Sequence, residues 1–185
     1  VGEVQVSDSR EEILVRLQAC IATLAPGVVY TFPGGRTHRP IETDLGGRCY
    51  SKVRPEASFD SSELPAVELL TNNSEDDTIR EVADDDTYLA DMKAQIFGYL
   101  KSDDAGDEKD AVVRAKLNAF RADLIVAVEA FPYWTSAEYP EPIRRRVGEI
   151  ETVLQKQMTE AAINAPDGFL TLDYAIRYRF SRLNP

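Results

Sequence analysis

The side chains best suited to chemistry in this chain are a single histidine, two cysteines and several runs of carboxylates, and none has the spacing a reaction centre requires. His38 lies in a basic loop beside Arg36, Arg39 and Pro40. No Ser or Cys stands in a nucleophile-elbow context that would use it as a base, so it reads as a surface histidine. Asp84-Asp85-Asp86 and Glu75-Asp76-Asp77 gather negative charge. Both lack the alternate spacing and central glycine of a calcium loop, and they read as solvated acidic loops. The glycine pairs Gly34-Gly35 and Gly46-Gly47 lack the Lys-Ser/Thr that follows a phosphate-cradling loop and are better explained as turns. Cys20 falls on the apolar side of a helical pattern, which favours a buried structural thiol over a disulfide with Cys49. No catalytic residue, metal ligand or cofactor site is assigned.

What remains is charge. Thirty-two acidic against 21 basic side chains give a formal net charge of −11. This argues against binding nucleic acid through its phosphates, and it suits a wall along which DNA slides without sticking. Against that background Arg144-Arg145-Arg146, with Arg177, Arg179 and Arg182 near the C-terminus, form the only local basic concentration. They read either as solvated arginines or as one half of a charge-complementary contact between copies of the chain. Tyr133, Trp134 and Tyr139 form an aromatic loop that is either an exposed binding patch or a cap over the core.

Periodicity supplies the elements that must position these groups. Ser9-Arg10-Glu11-Glu12 has capping-box spacing, and Ile13, Leu14, Leu17, Ile21 and Leu24 then share a helical face up to Pro26-Gly27. Val28 to Phe32 reads as a strand closed by Pro33-Gly34-Gly35. Arg36 to Glu63 is expected to be a long surface excursion carrying a small hairpin. Leu64 to Leu70 reads as a strand and Thr78 to Val82 as a shorter one. Asp86 to Leu100 fits both periods: Tyr88, Ala90, Met92, Ala94 and Ile96 alternate with polar neighbours, while Leu89, Met92, Ile96 and Tyr99 share a helical face; strand is favoured. A helix is expected from Asp107 to Ala130, after the acidic loop holding Asp103, Asp104 and Asp107. Arg144 to Met158 can be read as helix or strand. From Leu170 to Phe180 the alternation is strict, so one face of that strand must be buried and its register is firmly set.

At 185 residues, these elements are expected to make one α+β domain over residues 1–185, with a loop or hairpin insertion at about 36–63. Its fold class is a mixed, largely antiparallel sheet flanked by two main helices. Apolar runs stop well short of the roughly 20 residues that span a bilayer, and Val1 to Arg10 lacks a signal pattern, which points to the cytoplasm.

Four stretches carry a resemblance. They are Arg10-Glu11-Glu12-Ile13-Leu14-Val15-Arg16-Leu17 through Gly27-Val28-Val29-Tyr30; Leu64-Pro65-Ala66-Val67-Glu68-Leu69; Ala119-Phe120-Arg121-Ala122-Asp123-Leu124-Ile125-Val126-Ala127-Val128; and Leu172-Asp173-Tyr174-Ala175-Ile176-Arg177-Tyr178-Arg179. In this order they resemble the tail terminator proteins of long-tailed bacteriophages, although each is a helix or strand pattern and none is chemically diagnostic. The resemblance implies strands at Asp86 to Leu100 and at Val147 to Met158. It also implies a virion protein of the neck, assembled in the host cytoplasm. A hexameric ring would cap the tail tube, stop its polymerisation and offer a surface to head-completion proteins, with DNA passing through the lumen. Arg144, Arg145, Arg146, Arg177 and Arg179 would then lie at subunit contacts, and Asp84, Asp85, Asp86, Asp103, Asp104 and Asp107 on ring-exposed loops. The long 36–63 insertion departs from shorter members of the family. Competing readings are another neck or head-completion protein, for which a mainly helical or small-barrel pattern is expected, and a small ligand-binding protein or enzyme, which would need convergent polar groups.

Overall fold

The computed structural model describes residues 9–38, 43–51, 59–72, 77–81, 87–101, 109–161 and 168–181. Helix α1 (Ser9–Ala22) forms because Ile13, Leu17, Cys20 and Ile21 recur on one face and are all fully buried. Ser9 is already helical, and the Glu12 carboxylate is engaged by Arg16 and Arg146, so the expected reciprocal capping gives way to ion pairing. The strand read at Val28 to Phe32 shrinks to β1 (Tyr30–Thr31), because Val28 closes the turn after α1 by donating to Ala25. A 3-10 turn over Pro33–Gly35 leads back into β2 (Thr37–His38), antiparallel to β1.

The 36–63 stretch contributes more to the interior than a surface excursion does. Thr43, Leu45 and Cys49 are buried, and β3 (Cys49–Tyr50) joins the main sheet in parallel with β4 (Ala66–Thr71). Beyond them come β5 (Thr78–Glu81), β6 (Thr87–Leu100), β7 (Ile150–Ala161) and β8 (Gly168–Ser181). The sheet runs β3-β4-β6-β8-β7, with β5 also paired to β6, and every pairing except β3 with β4 is antiparallel. The fold is therefore α+β with a mixed, mostly antiparallel sheet. Of the two segments that fitted both periods, Asp86 to Leu100 is strand wherever it is described, whereas Arg144 to Met158 divides into a short helical turn up to Val147 and a strand from Ile150. In β6, Ala90, Met92, Ala94 and Ile96 are buried while Lys93 and Gln95 are exposed, a period of two.

β6 and β8 pair over their full length, from Thr87 with Ser181 to Leu100 with Gly168. Their buried residues therefore fall on one face, and α2 (Lys109–Ala130) covers it through Val113, Leu117, Phe120, Leu124 and Val128. The contact is close: a Cβ added at Gly98 would lie 3.0 Å from both Phe120 and Leu170. Burying a side chain such as Leu124 or Ile176 contributes about 1.5–3 kcal/mol. The other face of the sheet carries Asp91, Lys93, Gln95, Asp173, Ala175 and Arg177, all half-buried or exposed. Among the described residues it is covered at one end, where Phe59 packs between Tyr50 and Tyr99, and Tyr99 donates to the buried Glu68 carboxylate at 3.0 Å.

Candidate functional site

The basic cluster is placed by α3 (Ile143–Val147), five residues between Pro142 and Gly148. Ile143 and Val147, one turn apart, are buried, which turns Arg144, Arg145 and Arg146 outward. Gly148 has φ of 76°, a left-handed conformation that costs glycine little, and it reverses the chain into β7. Each arginine then meets a different environment. The Arg144 guanidinium lies 4.5 Å from the centre of the Tyr133 ring. Arg145 is exposed and meets no carboxylate or ring among the described residues. Arg146 Nε is 2.7 Å from Glu12 Oε1, which ties α3 to α1.

Arg177 and Arg179 share the uncovered face because they are two apart on β8. Register sets their partners: Arg177 stands opposite Asp91 on β6 and Glu151 on β7. Its Nε and Nη2 reach the two Asp91 oxygens at 2.8 and 3.3 Å, and Nη1 lies 3.6 Å from Glu151. The hydrogen bond to Asp91, then its charge, push the guanidinium pKa further up. Arg179 pairs with Glu149 at 2.9 Å. Solvent screens exposed pairs of this kind, so they order the surface more than they stabilise the fold.

Arg144 and Arg177 line one groove of about 550 Å³, with Leu89, Tyr133, Gly148 and Glu151. The structure thus brings two of the five expected interface arginines together and sets Arg179 beside them through Glu149, which also lines the groove. Arg145 points outward, and Arg146 turns away to α1. Asp84, Asp85, Asp86, Asp103, Asp104, Asp107 and Arg182 lie outside the described residues. Of the Glu75-Asp76-Asp77 run, Asp77 is described and serves the fold, holding Arg10 at 2.9 Å and Asn72 at 2.8 Å.

The groups with chemical potential are otherwise engaged. His38 is not a free surface side chain: its Nε2 lies 3.5 Å from Oδ1 of Asp123, a buried carboxylate in the middle of α2. Cys20 and Cys49 are free, buried thiols, as their apolar setting implied. Burial pushes both pKa values up, Cys49 to about 12, and Cys20 is raised further by its neighbour Cys49. Trp134 packs on the core, with Tyr139 6.0 Å away and the Arg16 guanidinium 4.8 Å from the Tyr139 ring, so the aromatic loop caps the interior. Among the described residues no three His, Cys, Asp or Glu side chains converge as metal ligands, and no helix is long and apolar enough to cross a membrane.

No protein-family model and no curated protein sequence matches the chain. The groove's character therefore rests on its own geometry. Two features escaped the sequence reading: the Arg144–Tyr133 stack, for which the sequence holds no signal, and the Asp91–Arg177 pair, which the alternation of both strands placed on like-facing positions.

Proposed function

We propose that the chain is a tail terminator of a long-tailed bacteriophage, a structural protein whose copies close into a ring on the end of the tail tube. One observation carries the reading. The resemblance to terminators implied strands at Asp86 to Leu100 and at Val147 to Met158, and strands stand at Thr87–Leu100 and Ile150–Ala161, the second beginning three residues later than implied. Each is long and lies in a mostly antiparallel sheet with its helical layer on the other side. The groove lined by Arg144 and Arg177 also holds Glu149 and Glu151, so its charge is mixed; Arg144 and Arg145, which meet no carboxylate among the described residues, are the cations that suit contact with an acidic copy of the chain. A heterologous contact of this kind forms a ring where the rotation between copies closes, and on this reading the ring offers no further tube-binding surface. The virion neck is the location this assigns, the tail tube and head-completion proteins are the partners, and DNA passes through without sequence-specific binding.

The test is the mass of the purified protein by light scattering, alone and after mixing with isolated tail tubes inspected by electron microscopy. The reading predicts a ring, or a monomer that forms a ring on tube ends. A chain that never caps tube ends contradicts it.

A further inference from the structure

The uncovered face of the sheet has a built surface of its own. Leu70, Val153 and Met158 are 38, 41 and 45% exposed, half of the large apolar side chains this exposed among the described residues. Register places all three on that face: Leu70 opposite Gln95, Val153 opposite Ala175, and Met158 opposite Thr171. Beside Leu70 runs a trough of about 420 Å³, lined among the described residues by strand residues and Asn72. Lys93 lies in it and Lys156 stands opposite Asp173 at its side; both are exposed, and neither meets a carboxylate among the described residues. The Asp173 carboxylate is already occupied by Gln95 at 3.0 Å, and Asp91 by Arg177. Among the described residues, then, neither lysine is held in an ion pair, although Asp173 keeps its charge beside them, while the chain as a whole carries a surplus of acid.

We propose that this face, from Leu70 to Met158, is a contact surface for a second copy of the chain. Val153, Met158 and Leu70 supply the apolar contact, and Lys93 and Lys156 receive carboxylates from the acidic surface of the neighbour. Charge selects the occupant: two bodies of net charge −11 repel except where one presents unpaired cations to the other. Strand addition along the β7 edge is disfavoured, because the bulge between Leu154 and Lys156 breaks the ladder that an added strand would extend. Because acidic and lysine-bearing surfaces differ, the contact is heterologous, and it makes a ring where the rotation between copies closes. The proposal deepens the ring reading and rests on it for the premise that copies meet.

The experiment compares self-association of the full chain with that of V153T/M158Q and of K93E/K156E by sedimentation across a concentration series at low and high salt, with circular dichroism as the folding check. All four positions are exposed, so the variants are expected to fold. Each should weaken association by about tenfold or more, and salt should weaken the wild type but not K93E/K156E. Wild-type association in both variants overturns the surface; if the wild type associates only on tube ends, the same comparison is made there, and wild-type capping by both variants overturns it. Capping of tube ends, read separately by electron microscopy, reports on the ring reading. Caps formed by a chain whose variants still associate normally leave that reading standing and remove this one.

Discussion

Glu12 Oε1 is shared by two guanidinium groups, Arg16 Nη2 and Arg146 Nε, each 2.7 Å away. Arg16 is buried and also donates to the Glu141 carbonyl at 2.7 Å, whereas Arg146 is half exposed. Loss of the shared carboxylate strands a buried cation; loss of Arg146 removes only a surface partner.

Glu12→Ala is therefore expected to lower unfolding free energy by about 1–3 kcal/mol, and Arg146→Ala by less than about 1 kcal/mol. Urea denaturation of both variants checks the ranking, and equal small losses would show that Arg16 does not depend on Glu12.

The same geometry separates the arginines by role. Arg146 is part of the fold, while Arg144 and Arg145 face outward with no carboxylate partner among the described residues. The double variant R144E/R145E should lose no more than about 1 kcal/mol of stability, from the Arg144–Tyr133 stack, and associate less well at low salt, with the difference fading as salt screens it. Light scattering at two ionic strengths measures this. Unchanged association removes the basic cluster from the interface.

Gly98 is one of the places where α2 packs tightly on the sheet. Gly98→Ala places a Cβ against Phe120 and Leu170 in a close-packed layer, and it is expected to destabilise by about 1–3 kcal/mol through displaced side chains. Thermal denaturation reads the effect. A neutral result would mean that the α2 layer gives way more easily than its packing implies.

The buried thiols and phenols make stability fall on the alkaline side. Cys49 titrates at about 12 in the folded protein against an ordinary 9.0, and burial also raises Cys20, Tyr30 and Tyr174. A group whose pKa is raised by folding contributes stability that is complete below its unfolded value and lost as pH climbs through the folded one. Stability should therefore hold up to about pH 9 and decline above it. A thiol reagent at neutral pH should modify neither cysteine until denaturant is added. Rapid labelling of the native chain would sink the assignment of both thiols to the core.

The helices and the closing strand were legible in the sequence because their periodicity is a local property. Ile13, Leu17 and Ile21 mark one face of α1, and Val113, Leu117, Phe120 and Leu124 mark one face of α2. Strict alternation from Leu170 to Phe180 admits a single register, and the structure buries Leu170, Leu172, Tyr174, Ile176 and Tyr178 as that alternation requires. Other features were hidden for physical reasons. Residues 87–100 satisfy both periods, and only pairing with β4 and β5 on one side and β8 on the other selects the strand. The buried role of Leu45 and Cys49 was masked by the Gly-rich, polar residues around them.

The candidate site divides in the same way. By itself the sequence determined that basic side chains concentrate at Arg144–Arg146 and in the last strand of an acidic chain, since composition and strand parity require no partner. Which arginines meet was decided by the tertiary structure alone. Asp91 and Arg177 are 86 residues apart along the chain, and only sheet register makes them neighbours. Arg146 is drawn from its own cluster to Glu12 because α3 packs against α1, a long-range contact that no local pattern encodes.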